Sequence, residues 1–239
     1  MLALFCVLRL GKDPADSRPQ ELAKAARDSI ASGKWDEAKK ATDSLLALFP
    51  NNHIYLRQAA RVAHEQNRYG DEAELLERFM KTAPQASDAC PDLPQAYRRQ
   101  ELYDRAIEMA KKCTELEPKN SDFRFELALT LERAGKTDEA LALYSAGVKE
   151  FPTYSDFAIG QARMLLRLGK VEESRALIEK VLAEKPTNAD AELVAGLAAT
   201  TAGDFERARE ILAKAVEEHP TYEELKAALE ALPAKEAKP

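Results

Sequence analysis

The sequence is poor in most of the residues that mark a chemical site. Its 239 residues include three cysteines, Cys6, Cys90 and Cys113, too few and too scattered for a disulfide framework. No C-x-x-C pair or Cys/His ligand spacing occurs, so no structural metal site is expected. Basic charge is not in excess: 35 Lys and Arg stand against 41 Asp and Glu, a net charge of −6, which argues against nucleic-acid binding. No apolar run reaches the roughly 20 residues of a membrane helix. There is no H-E-x-x-H, no Gly-rich phosphate loop and no Ser/His/Asp order with a strained elbow. His53, His64 and His219 fall at unrelated positions. No catalytic, cofactor-binding or metal-binding residue is therefore expected, and the chain is not expected to be an enzyme.

What the sequence does contain is a period. Pro50, Pro84, Pro118, Pro152, Pro186 and Pro220 recur every 34 residues. A Gly precedes four of them at a fixed offset, Gly33, Gly135, Gly169 and Gly203, where a chain turning between antiparallel helices needs a positive φ. Small residues follow five places later, Ala38, Ala140, Ser174 and Ala208, and let the two helices approach. Helical periodicity agrees: Ala208, Leu212, Ala215 and Val216 share one helix face. The register gives six units, 19–52, 53–86, 87–120, 121–154, 155–188 and 189–222.

Leu127, Ala128, Leu131, Gly135, Ala140, Tyr144, Gly147 and Pro152 stand in order at the signature positions of the tetratricopeptide repeat, or TPR. The chain resembles that family over about 200 residues. The resemblance implies an all-α, right-handed superhelical solenoid of helix-turn-helix hairpins, acting as a non-enzymatic scaffold for a protein or peptide partner. Residues 223–239 are expected to form a C-terminal capping helix and a tail, because nothing stacks on the last unit.

Local departures carry their own expectations. Ser87-Asp88, Ser121-Asp122, Ser155-Asp156 and Ala189-Asp190 place oxygen acceptors at helix starts. In the second unit Asn67 replaces the turn glycine and Glu72 falls where a small residue belongs, with Ala73 one place late, so a one-residue adjustment of that turn is expected. In the third, Pro91 and Pro94 delay the first helix to near Pro94, leaving a notch that is either a pocket or a kink. Cys90 and Cys113 fall where a hairpin could bring them together, and buried free thiols are the expected state.

In the TPR family the first helix of each unit, helix A, lines a concave groove. Carried over, that groove would present Arg27, Arg57, Arg61, Arg98, Arg99, Phe125, Leu129, Arg133, Ile159, Arg163, Leu166, Arg167, Leu193 and Leu197. Eight arginines on one face suit an acidic, partly apolar partner segment. The alternative is that they pair with the aspartates and glutamates of neighbouring repeats, chiefly Glu65, Asp88, Asp122, Glu132, Asp156 and Asp190, and stabilise the stack. The family's carboxylate clamp of Lys and Asn is absent, since its positions hold Arg57, Arg61 and Asp92, or Phe125, Leu129 and Gly160.

Residues 1–8 are apolar and Arg9 ends the run. They read as the end of a membrane anchor, as a short helix covering the first unit, or as a leader. Compartment stays open between membrane-associated, cytoplasmic and periplasmic. Self-association into a homo-oligomer, or attachment to a membrane complex through residues 1–10, is the competing reading to a monomeric scaffold.

Overall fold

A computed structural model describes residues 17–233. The apolar start and the final tail lie outside these residues, and so do the anchor, cap and leader readings of residues 1–10. Among the described residues the regular structure is entirely helical. No helix is long and apolar enough to cross a membrane.

Two compact units divide the chain, residues 1–100 and 101–239. In the first, α1 (Arg18–Ala31) packs on α2 (Trp35–Leu48), α2 on α3 (His53–Glu65), and α3 on α4 (Tyr69–Thr82). A 3-10 turn (Ser87–Ala89) then leads to the seven-residue α5 (Leu93–Arg99), which packs on α4. The second unit runs α6 (Tyr103–Leu116), α7 (Ser121–Arg133), α8 (Thr137–Glu150), α9 (Ser155–Arg167), α10 (Val171–Glu184), α11 (Ala189–Thr201), α12 (Phe205–Glu218) and α13 (Glu223–Glu230). Each of these helices packs on the next, and α9 also touches α7 and α11.

The turns explain the period. Gly33, Gly135, Gly169 and Gly203 have φ between +68° and +79°, and Asn67 takes φ +55° in the second repeat. The next amide then bonds back to a carbonyl five residues earlier, as in Lys34 N to Ser29 O at 2.9 Å and Arg68 N to Ala63 O at 2.8 Å. The Asn67 turn therefore keeps the spacing of the others, and the expected one-residue adjustment does not occur. Glu72 stays in register and is buried instead. In the third repeat Glu101 takes the same conformation, at φ +59°.

Each of the six prolines stands two residues beyond the end of a second helix, where its missing N–H breaks no helical bond. The helix starts differ from expectation. Asn52, Asn120 and Asn188 supply the capping oxygens, accepting for example from Ile54 N and Asp122 N at 3.0 Å. Ser121 is already the first residue of α7, so its side chain sits too late to cap. The delayed start of α5 at Leu93 matches the proline reading. Cys90 is buried in the first unit and Cys113 in the second, and both are disulfide-bonded, which corrects the expectation of free thiols. The burial that favours a small uncharged thiol favours the equally uncharged disulfide.

Glycines bring α8 and α9 into close contact. A Cβ added to Gly147 would lie 2.0 Å from the Phe157 ring, and one added to Gly160 would lie 2.4 Å from the Tyr144 ring. Each glycine thus makes room for the other helix's aromatic side chain, and both rings are fully buried. On the terminal side, α13 buries Leu225 against the cluster holding Ala199, Ala208, Leu212 and Ala215.

Gly160→Ala is expected to lower unfolding free energy by about 1–3 kcal/mol through overpacking. Gly70→Ala supplies the contrast, because its new methyl would meet nothing closer than 3.6 Å inside α4. That change should stabilise by about 0.5 kcal/mol through helix propensity. Urea titrations of both variants check the pair, and equal effects would contradict the packing described.

Candidate functional site

In the second unit two of the arginines expected to line a groove, Arg163 and Arg167, are held by an internal acid. Glu132, on α7, is 4% exposed. Arg163, one repeat later on α9, grips it in bidentate fashion, Nε to Oε1 and Nη2 to Oε2 both at 2.9 Å. The Tyr144 hydroxyl donates to Oε2 at 2.7 Å, and Arg167 Nη2 reaches Oε1 at 3.4 Å. Burial alone would raise the Glu132 pKa, but the hydrogen bond and charge of Arg163, with Tyr144 and Arg167, outweigh it and hold the carboxyl below its usual range. Tyr144 is pushed far up, by burial first and then by the neighbouring carboxylate. The network ties α7 to both α8 and α9.

The helix-start aspartates are engaged as well. Tyr222 donates its hydroxyl to Asp190. Tyr154 stands near Asp122, and its pKa is raised by burial and then by that neighbouring carboxylate. Phe125 is half-buried among the rings of Tyr144, Tyr154 and Phe157, at 5.7–6.0 Å between centroids. Ile159 is 2% exposed in the core shared with Val194 and Ile178, so it presents nothing to a partner. Leu129, Leu166 and Leu193 are half-buried, while Leu197 and Arg133 are exposed.

In the first unit the truncated α5 leaves a cavity of about 720 Å³, bordered by α3, α4 and the Asp88 to Asp92 segment. Ile54, Leu76 and Phe79 contribute its apolar wall, and Arg57, Arg61 and His64 also line it. Arg57 Nη1 lies 2.7 Å from Asp88 Oδ1. Arg99 donates to the Tyr69 hydroxyl at 3.1 Å with its guanidinium 4.9 Å from that ring's centroid. Arg98 is half-buried on α5. Arg27, Arg61 and Arg133 are exposed and have no ion-pair partner among the described residues.

Two members of this cavity were not legible as site residues. Glu72 is 2% exposed, with Oε1 at 3.0 Å from His64 Nδ1, while its Oε2 and the Oε1 of Gln58 are buried without a hydrogen-bond partner. The Glu72 pKa is raised by burial, and Asp92 adds to the rise; His64 and Arg99 oppose it. The available signal was compositional: its column reads Ala38, Glu72, Ala106, Ala140, Ser174 and Ala208.

A third cluster closes the last hairpin. Glu192, Glu218 and His219 present donor atoms within 4.8 Å of one another. Two carboxylates and an imidazole suit a divalent cation in chemical type. Here His219 Nε2 lies 3.0 Å from Glu192 Oε2, and the Glu192 pKa is raised by burial and then by the charge of Glu218. The His219–Glu192 contact joins α11 to the end of α12, and Glu218 pairs with Lys214 on its own helix.

Arg163→Glu is expected to remove roughly 3–5 kcal/mol of stability, because it strands the buried Glu132. Arg133→Glu should change stability by no more than about 0.5 kcal/mol. Since the folded-state pKa of Glu132 is depressed, its contribution is present above the unfolded carboxylate range and is lost as pH falls through the lower folded value. The difference between wild type and Glu132→Gln should therefore narrow below about pH 4. Chemical denaturation across pH checks both statements, and a gap that widens in acid would contradict them.

Comparison with known proteins agrees with this geometry. Family models described as Tetratricopeptide repeat match residues 23–87 and 93–155, and a second such set matches residues 131–197 and 165–232. A tetratricopeptide repeat protein from Parabacteroides merdae is 22% identical, with a TM-score of 0.70 over 92% of this chain and 86% of its own. PilW, described as a widely conserved type IV pilus biogenesis factor, is 15% identical, with a TM-score of 0.68 over 90% of this chain and all of its own, 100%. YrrB, described as a TPR protein with an unusual peptide-binding site, is 20% identical, with a TM-score of 0.55 over 81% of this chain and 100% of its own. At these identities the likeness shows the fold. No curated protein matches the sequence. With hairpin turns, proline spacing and family models in agreement from residue 23 to residue 232, the chain belongs to the tetratricopeptide repeat family.

Proposed function

We propose that this TPR chain is a non-enzymatic scaffold that holds an acidic, partly apolar segment of a partner protein against its A helices. The observation that carries the proposal is the cavity of about 720 Å³ in the first unit, a recess with an apolar wall and Arg61 exposed beside it. That combination suits a segment whose apolar side chains enter while an acidic one meets the guanidinium. The acidic preference is narrower than eight arginines suggest. Arg57, Arg99, Arg163 and Arg167 are engaged within the protein, so beside this recess the exposed Arg61 carries the electrostatic share. YrrB, as a TPR protein with a peptide-binding site, lends support by analogy of fold.

Fluorescence anisotropy with labelled peptides tests the reading. An acidic-apolar peptide is expected to bind saturably and to weaken several-fold as salt rises through the range where the Debye length shortens. Arg61→Glu should weaken it by about tenfold, the loss of one charge-assisted contact. A peptide series that shows no saturable binding, or binding indifferent to salt and to Arg61→Glu, would overturn it.

A further inference from the structure

The cavity of the first unit holds an imbalance of charge and of hydrogen bonding that stacking does not explain. Its lining includes Arg57 and Arg61 as cations and Glu65, Glu72, Asp88 and Asp92 as anions, two against four, a formal −2 with histidines neutral. Arg57 is already paired with Asp88. Glu72 is the most buried of these charged groups, and the other repeats put Ala or Ser at the same place. A buried carboxylate at a helix crossing carries a desolvation penalty unless its oxygens find partners. His64 answers one of the two oxygens. Both orphaned atoms of the cavity, Glu72 Oε2 and Gln58 Oε1, are acceptors, so what completes the site must donate.

We propose that the cavity receives one arginine or lysine side chain of the bound partner segment, its stem against Leu76 and Phe79 and its cationic head on Glu72 and Gln58. Such side chains lay an apolar stem along an apolar wall and deliver their donors at the tip, which is the order of chemistry found here. The net negative lining favours that head over a carboxylate, while Arg61 beside it takes an acidic neighbour in the same segment. The partner motif is thus of mixed charge, one base set among acids. This deepens the scaffold reading and rests on it.

The test is a random peptide library displayed on phage and selected against the full chain, in parallel with Glu72→Gln and Gln58→Leu. Circular dichroism first checks that each variant is folded. The expected result is a selected consensus with one Arg or Lys position flanked by Asp or Glu. Replacing that residue by norleucine in the synthetic peptide should cost about tenfold in affinity for wild type. Against Glu72→Gln the same replacement should cost almost nothing, and Gln58→Leu should reduce the difference. A consensus of acidic and apolar residues with no basic position would overturn the anchor and leave the scaffold reading standing. A basic position equally favoured by both variants would also overturn the anchor. A library that yields no binders would overturn both.

Discussion

Close approach of paired helices is the constraint from which this structure follows. Two helices of a hairpin can lie near each other only where a small side chain occupies their crossing, and Ala38, Ala106, Ala140, Ser174 and Ala208 each fill that place with no solvent exposure. Between α8 and α9 the same need is met by Gly147 and Gly160, each seating a ring from the opposite helix. A hairpin so built still has an apolar side that it cannot cover, and the next hairpin covers it. Stability in each unit is therefore assembled from neighbour to neighbour, with α13 closing the last one.

Charge is arranged on the same local scale. Glu132 and Arg163 stand 31 residues apart, nearly one repeat, and their bidentate pair fixes how α7 meets α9. A buried pair of this kind sets register more than it adds stability, because desolvation offsets much of the attraction. Arg57 with Asp88 joins α3 to the segment that precedes α5, again at 31 residues' separation. These pairs engage Arg57, Arg163 and Arg167 within the protein, while Arg27, Arg61 and Arg133 stay exposed.

The parts of the fold that depend on backbone conformation were legible in the sequence. A positive φ selects Gly, and a helix end tolerates Pro, so Gly33, Gly135, Gly169, Gly203 and the six prolines mark hairpins without reference to packing. The helix caps were less legible, since Asn120 and Ser121 are both good acceptors and only the geometry shows which begins the helix. The candidate site was legible as a composition and not as an arrangement. Nothing in the sequence tells whether Arg163 faces solvent or Glu132, because the two differ by a rotation of one repeat on the next. Glu72 was misread as a slip in the turn, since the small-residue rule allows no buried carboxylate at that column. Its departure from the rule is now the mark of the cavity.

Glu72 therefore gives the sharpest test of the packing account and of the idea that this one crossing departs from it. Urea unfolding should be measured for Glu72→Ala beside Ala140→Glu at neutral pH. The account predicts that Glu72→Ala leaves the midpoint unchanged or higher, while the reverse change at Ala140 removes about 3 kcal/mol or more by burying a charge with no partner. If instead Glu72→Ala destabilises the protein as much as Ala140→Glu does, the carboxylate is a structural member of the hairpin, and the account of the crossing is wrong.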